Sequence, residues 1–165
     1  MERKSHPSGQ PATPIESWQL WLPPNVVYNI LEHVQNALPF EGGGVLLGQK
    51  ETKKQLLSFV SVFHAHCFVP IDNVEKSTTR YFSAPSQTVM AVLEANKRGV
   101  SLVATVHSHP NSVPVASRFD IQEAFSYAIP HLIVGHVSTT PLFQAYRYQP
   151  TRKADEVFPV DILLL

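Results

Sequence analysis

The feature that most constrains this chain is the run Leu102-Val103-Ala104-Thr105-Val106, apolar at almost every position and followed at once by His107-Ser108-His109. A half-solvated strand alternates apolar and polar side chains, whereas a strand covered on both faces reads as a continuous apolar run. The segment is therefore a central strand, and it ends in two histidines at i and i+2, which project to one side. Other segments supply the cover. Pro23-Pro24-Asn25 opens a helix in which Val27, Ile30, Leu31, Val34 and Leu38 recur on one face, and Pro39 stops it. Pro85 opens a second helix through Arg98, with Gly99 as its C-terminal cap. Ser117 begins a third, with Ile121, Ala124, Phe125 and Ala128 on one face. Trp18 to Trp21 reads as a short strand contributing to the core. Val45 to Gly48 and Leu56 to His64 read as a hairpin, and His131 to Val137 and Leu142 to Tyr148 as two further strands. Residues 67–80 read as irregular. The sum is an α/β fold, a single domain with a mixed central β-sheet flanked by helices.

A length of 165 residues is one ordinary domain, large enough to bury a core. Residues 1–16 are rich in Pro, Ser and charge and read as a flexible arm, which leaves 17–165 as the domain. No apolar signal core follows the N-terminal charges, and no run of apolar residues is long enough to span a bilayer, so a cytoplasmic protein without membrane attachment is expected. The C-terminal stretch Val157 to Leu165 is apolar to its end and packs as a strand or serves a partner as an edge, which allows a homodimer. Thirteen basic residues balance thirteen acidic ones, which argues against a nucleic-acid binder. A single Cys rules out an internal disulfide and a Cys-rich zinc site.

The chemistry concentrates at His107, His109 and Asp120, with Ser117 between them. Asp120 falls at the start of the third helix, after a loop long enough to fold back on the histidine pair. Two imidazoles and one carboxylate leave a fourth position open, as catalytic rather than structural zinc requires. A metal-bound water needs a proton acceptor, and Glu41, in the loop Glu41-Gly42-Gly43-Gly44, is the candidate. Ser117 could donate to the oxyanion formed on a scissile carbonyl. Ser117 and Asp120 also make the Ser-x-x-Asp pattern of a helix cap, and the two roles can coexist.

Glu41, then His107-Ser108-His109, then Asp120 after ten intervening residues, with Ser117 before it, resembles the signature of the JAMM (MPN+) zinc metallopeptidases. The resemblance covers roughly residues 17–150, includes Pro39-x-Glu41 and Gly44-x-x-x-Gly48, and is greatest to the small prokaryotic branch. It implies a cytidine-deaminase-like fold and one zinc per chain held by His107, His109 and Asp120, with Glu41 and Ser117 as catalytic residues. It also implies cleavage after the C-terminal glycine of a ubiquitin-like or sulfur-carrier protein. Two departures stand out. Many relatives carry Cys where this chain has Gly43, and the long insertion after the Asp that some deubiquitinases use is missing, which argues against linkage selectivity. The segment 67–81 is the candidate for gripping an extended tail by strand addition.

A second pattern, His64-Ala65-His66-Cys67, has no carboxylate at short spacing and is read as strand and substrate-groove residues rather than a second metal site. Cys67 is read as a small buried residue, and His6, His33, His131 and His136 as solvated or structural. Three function classes compete. The first is a zinc isopeptidase, acting in a bacterial ubiquitin-like conjugation or antiphage system, or else on a sulfur carrier in cysteine, thiamine or molybdopterin-type biosynthesis. The second is a scaffold of the same fold without catalysis, which the filled ligand positions argue against. The third is a zinc nucleobase deaminase, which one Cys cannot supply.

Overall fold

The apolar run lies inside a nine-residue strand, and the chain on either side of it builds a barrel. In the computed structural model, which describes residues 15–150 and 155–165, the elements are β1 (Ile15–Leu22), α1 (Pro24–Asn36), β2 (Gly43–Lys54), β3 (Ser58–Ile71), α2 (Pro85–Lys97), β4 (Ser101–His109), α3 (Arg118–Gln122), β5 (His131–Gly135), β6 (Leu142–Pro150) and β7 (Asp155–Leu164). β4 sits between β2, antiparallel, and β5, parallel, with Val103, Ala104 and Val106 buried. That is the central position its sequence demands.

The α/β sheet flanked by helices, of cytidine-deaminase type, is corrected. The strands close on themselves in the order β1-β3-β2-β4-β5-β6-β7, and β7 returns parallel to β1 through Gln19↔Asp161 to Leu22↔Leu164. Closure has a physical cause. Leu20 and Leu22 of β1 and Val160 of β7 are buried in one cluster, which only meeting strands allow. The C-terminal stretch is thus paired on both sides, with β6 and with β1. α1 lays Val26, Ile30 and Val34 into the same cluster. α2 covers the other face of β2, where Ala84, Ala91 and Ala95 pack on Val45, Leu47 and Ile71. Trp18 is buried against Phe63, while Trp21 is half-buried and edge-on to His64.

Two further expectations change. The third helix stops at Gln122 instead of running on through Ala128. Beyond it Ser126 is diverted from helical bonding, its hydroxyl accepting from the Ala128 N–H and its carbonyl from the His131 ring. The stretch expected to be irregular from residue 67 stays in β3 through Ile71, paired with β2 as Leu47↔Cys67 and Val45↔Val69. A bulge makes this register work. Leu47 pairs with Cys67 but Gly48 with Ala65, so His66 is the extra residue and points into solvent. Residues 1–14 of the expected arm lie outside the described residues, and β1 begins at Ile15. No helix among the described residues is long and apolar enough to cross a membrane.

Candidate active site

β4 delivers His107 and His109 to the barrel rim with both side chains buried and their Nε2 atoms 3.2 Å apart. For His109, Nδ1–H donates to the carbonyl of Val113 at 3.0 Å, which fixes the ring with its Nε2 turned inward. Asp120 completes the set. Its Oδ1 lies 3.2 Å from His107 Nε2 and its Oδ2 3.4 Å from His109 Nε2. A tetrahedral ion bound at about 2.0–2.1 Å spaces its ligands roughly 3.4 Å apart, which is close to the spacing of the two imidazole nitrogens, while Asp120 meets each of them with a different oxygen.

Ser117 explains how the carboxylate is aimed. Its Oγ accepts from the Asp120 N–H at 3.1 Å, and its own N–H donates to Asp120 Oδ2 at 2.7 Å. This reciprocal cap fixes the Asp120 side chain at the first turn of α3. The Ser117 hydroxyl proton stays free to donate. Burial would raise the Asp120 pKa, but hydrogen bonding to His107 and His109, together with the Ser117 N–H, holds it well below the usual carboxylate range.

Glu41 arrives from a distant part of the chain. Its carboxylate lies within 4.8 Å of the His107 and His109 ligand atoms, and the three form the one group among the described residues able to hold a metal by that measure. Asp120 lies outside that group: it approaches each imidazole with a different oxygen. Glu41 is 3% exposed, and its Oε2 has no hydrogen-bond partner. A buried oxygen without a protein partner leaves room for one further hydrogen bond at the edge of the histidine pair. Burial pushes its pKa up to about 7, against the opposing pull of His107 and His109.

Sequence reasoning missed what ties Glu41 to the histidines 66 residues on. Ser108, fully buried between them, accepts from the Gly42 N–H through its Oγ at 2.9 Å and returns its own N–H to the Gly42 carbonyl at 2.9 Å. Asn73 Nδ2 holds the Glu41 carbonyl at 3.0 Å, and the Glu41 N–H donates to the Ser77 carbonyl at 2.8 Å. Tyr81 lies parallel to the His107 ring at 6.1 Å, and its hydroxyl donates to the Ile71 carbonyl. It also accounts for Gly43, where a Cβ would stand 2.3 Å from the Val106 carbonyl and 2.8 Å from the Tyr81 ring. The second histidine pair does not converge, since the bulge sends His66 outward while His64 lies 3.4 Å from Glu51. His131 is structural. Its Nδ1 accepts from Thr105 and its Nε2–H donates to the Ser126 carbonyl, each at 2.8 Å, with its ring stacked on Tyr148.

With this geometry established, likeness to known proteins is decisive. The sequence pattern of prokaryotic homologs of the JAB domain matches residues 23–149. The chain belongs to this family. Among prokaryotic JAB relatives, a probable TtuB-protein conjugate cleaving protease from Thermus thermophilus is 28% identical over 117 residues, 70% of each chain. Solution structures of a protein from Desulfitobacterium hafniense and one from Salinibacter ruber share the fold, with TM-scores of 0.72 and 0.58 at 22% and 23% identity. The first covers 90% of this chain and 92% of its own, the second 87% and 90%.

Proposed function

We propose that this JAB domain is a zinc-dependent isopeptidase that cleaves after the C-terminal glycine of a ubiquitin-like protein. The observation that carries the reading is the convergence of His107, His109 and Asp120 at 3.2–3.4 Å beside a buried Glu41 with a partnerless oxygen. His107, His109 and Asp120 would hold one zinc per chain, which when bound supplies a Lewis acid and a water of lowered pKa. Glu41, poised near neutrality, takes the water's proton and returns it to the leaving amine. The Ser117 hydroxyl donates to the oxyanion. Ser108 and Asn73 keep the Glu41 loop against the histidine strand while this happens.

The setting we favour is deconjugation, in a bacterial ubiquitin-like system of which antiphage defence is one instance. The Thermus relative, named for cleaving TtuB-protein conjugates, supports conjugate cleavage over maturation of a sulfur carrier. A cytoplasmic location accords with such a substrate. The test uses a ubiquitin-like protein with a Gly-Gly tail joined to a lysine side chain. Glu41→Gln should keep about one zinc per chain by atomic emission and lose cleavage by at least about 100-fold. His109→Ala should lose the metal. Cleavage retained in either variant overturns the assignment.

A further inference from the structure

β2 is paired on both sides only for its first half. From Gly43 to Gly48 it lies between β3 and β4, but β4 begins at Ser101, opposite Gly48, and Gln49 to Lys54 pair with β3 alone. The register shows which backbone groups are left over. The Gln55 N–H donates to the Ser58 carbonyl, which makes 55 and 58 a hydrogen-bonded pair. Pairs then alternate along the antiparallel ladder, so Lys54, Thr52 and Lys50 turn their N–H and C=O groups away from β3. Among the described residues nothing pairs with this row. The turn beyond it carries Leu56 and Leu57, 94% and 83% exposed, where a hairpin turn ordinarily carries polar residues.

We propose that this half-strand is a docking edge for an acidic, extended segment of a partner protein, added beside Lys50 to Lys54 as a further strand. Residues 49–54 carry Lys50, Lys53 and Lys54 against Glu51 alone, and all are exposed. Glu51 is engaged by Lys53 at 3.4 Å. Lys50 and Lys54 stand on one face, two residues either side of Thr52; the Lys50 Nζ lies 5.2 and 5.7 Å over the Phe63 and Trp18 rings, and with Lys54 it is the pair that acidic side chains at alternate positions of an added strand would meet. Charge disfavours a second copy of this chain as the occupant. Two-fold pairing centred on Thr52, the register that uses all three outward residues, sets Lys50 against Lys54 twice. Lysines on an edge also deter unspecific pairing, so acidity of the incoming strand is the selection rule. The exposed leucines extend the edge with an apolar anchor. Gly43 pairs with His107 at the site, so at about 3.3 Å per residue the edge lies roughly 20–35 Å from the catalytic residues. That suits an exosite holding a protein while a tail is cut elsewhere.

The probe is a short fluorescent peptide alternating Glu and Val, compared with one alternating Lys and Val, by anisotropy against the full chain. The acidic peptide should bind and the basic one should not. Thr52→Pro removes one outward N–H that β3 does not use, and should weaken binding about tenfold or more. Lys50→Glu with Lys54→Glu should do the same and leaves the backbone intact, so it decides the matter if the proline variant proves misfolded by circular dichroism. Equal binding by wild type and the charge-reversed variant overturns the proposal, as does equal binding of the two peptides. So does binding to phosphatidylserine vesicles without binding to the acidic peptide, or a concentration-dependent dimer in sedimentation that Thr52→Pro abolishes. None of these readouts involves hydrolysis.

Discussion

Replacing His131 by glutamine tests whether the floor beneath the strand that carries His107 and His109 is held by a neutral imidazole. The ring is 4% exposed, accepts at Nδ1 from Thr105 and donates from Nε2 to Ser126, so both nitrogens are committed to the uncharged tautomer. Burial pushes its pKa from 6.5 down to about 4, with a smaller lowering from the charge of His107 and an opposing pull from the Ser126 carbonyl. The folded value lies below the unfolded one, so the unfolded chain binds the extra proton. The associated stability is complete above about pH 6.5 and is lost as the pH falls towards 4. The slope is about 1.4 kcal/mol per pH unit and the total roughly 3 kcal/mol. In denaturant unfolding of the metal-free protein from pH 7 to pH 4, wild type and His131→Gln share every other titrating group, so those contributions cancel in the difference. The variant should be less stable at pH 7, by about 1–3 kcal/mol for the hydrogen bond left open, and the gap should shrink or reverse by pH 4. Parallel stability curves would refute the reasoning. The consequence reaches the site because Thr105, which His131 holds, is two residues before His107 on β4.

Three other outcomes follow from the site. Ser108→Ala leaves the Gly42 N–H buried without its side-chain partner, and should cost about 1–3 kcal/mol in unfolding while lowering kcat more than metal affinity, since it loosens the Glu41 side. Ser117→Ala removes the cap that aims Asp120, so metal affinity measured by chelator competition should fall about 10- to 100-fold. If its hydroxyl also serves the oxyanion, kcat of the metal-saturated variant should fall a further 100-fold or so, and an unchanged kcat would confine Ser117 to capping. Dialysis against a chelator should abolish cleavage and one equivalent of zinc per chain should restore it; activity that survives chelation would show a mechanism independent of the three-ligand set.

The convergence of His107, His109 and Asp120 was legible because these three are local. His107 and His109 share a side of one strand by the two-residue period, and Asp120 sits where a capping box puts an acidic side chain. Glu41 could be named from chemistry and resemblance but not tied to the histidines, because the tie is Ser108, whose hydroxyl gives no spacing signal. The carbonyl of Val113 that orients His109 belongs to the backbone and leaves no trace in sequence at all. Barrel closure was hidden for a different reason. It depends on parallel pairing of β1 with β7, whose partners lie some 140 residues apart, and no periodicity within either segment encodes which strand it meets. The second histidine pair, rightly set aside as strand residues rather than a metal site, also shows that a bulge breaks the alternation on which any i, i+2 argument rests.

The capping reading of Ser117 and Asp120 and the ligand reading are one arrangement. A carboxylate has two oxygens, and the cap occupies Oδ2 with the Ser117 N–H while Oδ1 stays turned to His107. Without the cap, α3 has little else to fix it: it is five residues long and has no buried residue. Asp120 would then sample rotamers, and ordering it would oppose metal binding. Glu41 is also buried, its backbone held by Asn73 and, through Gly42, by Ser108, but it has one carboxylate oxygen left open. An unpaired buried oxygen costs about 1–3 kcal/mol, which a bound water in the site would relieve. On the proposed reading, the fold completes the ligand that must not move and leaves incomplete the base that must exchange a proton, the division expected of a catalytic rather than a structural metal site.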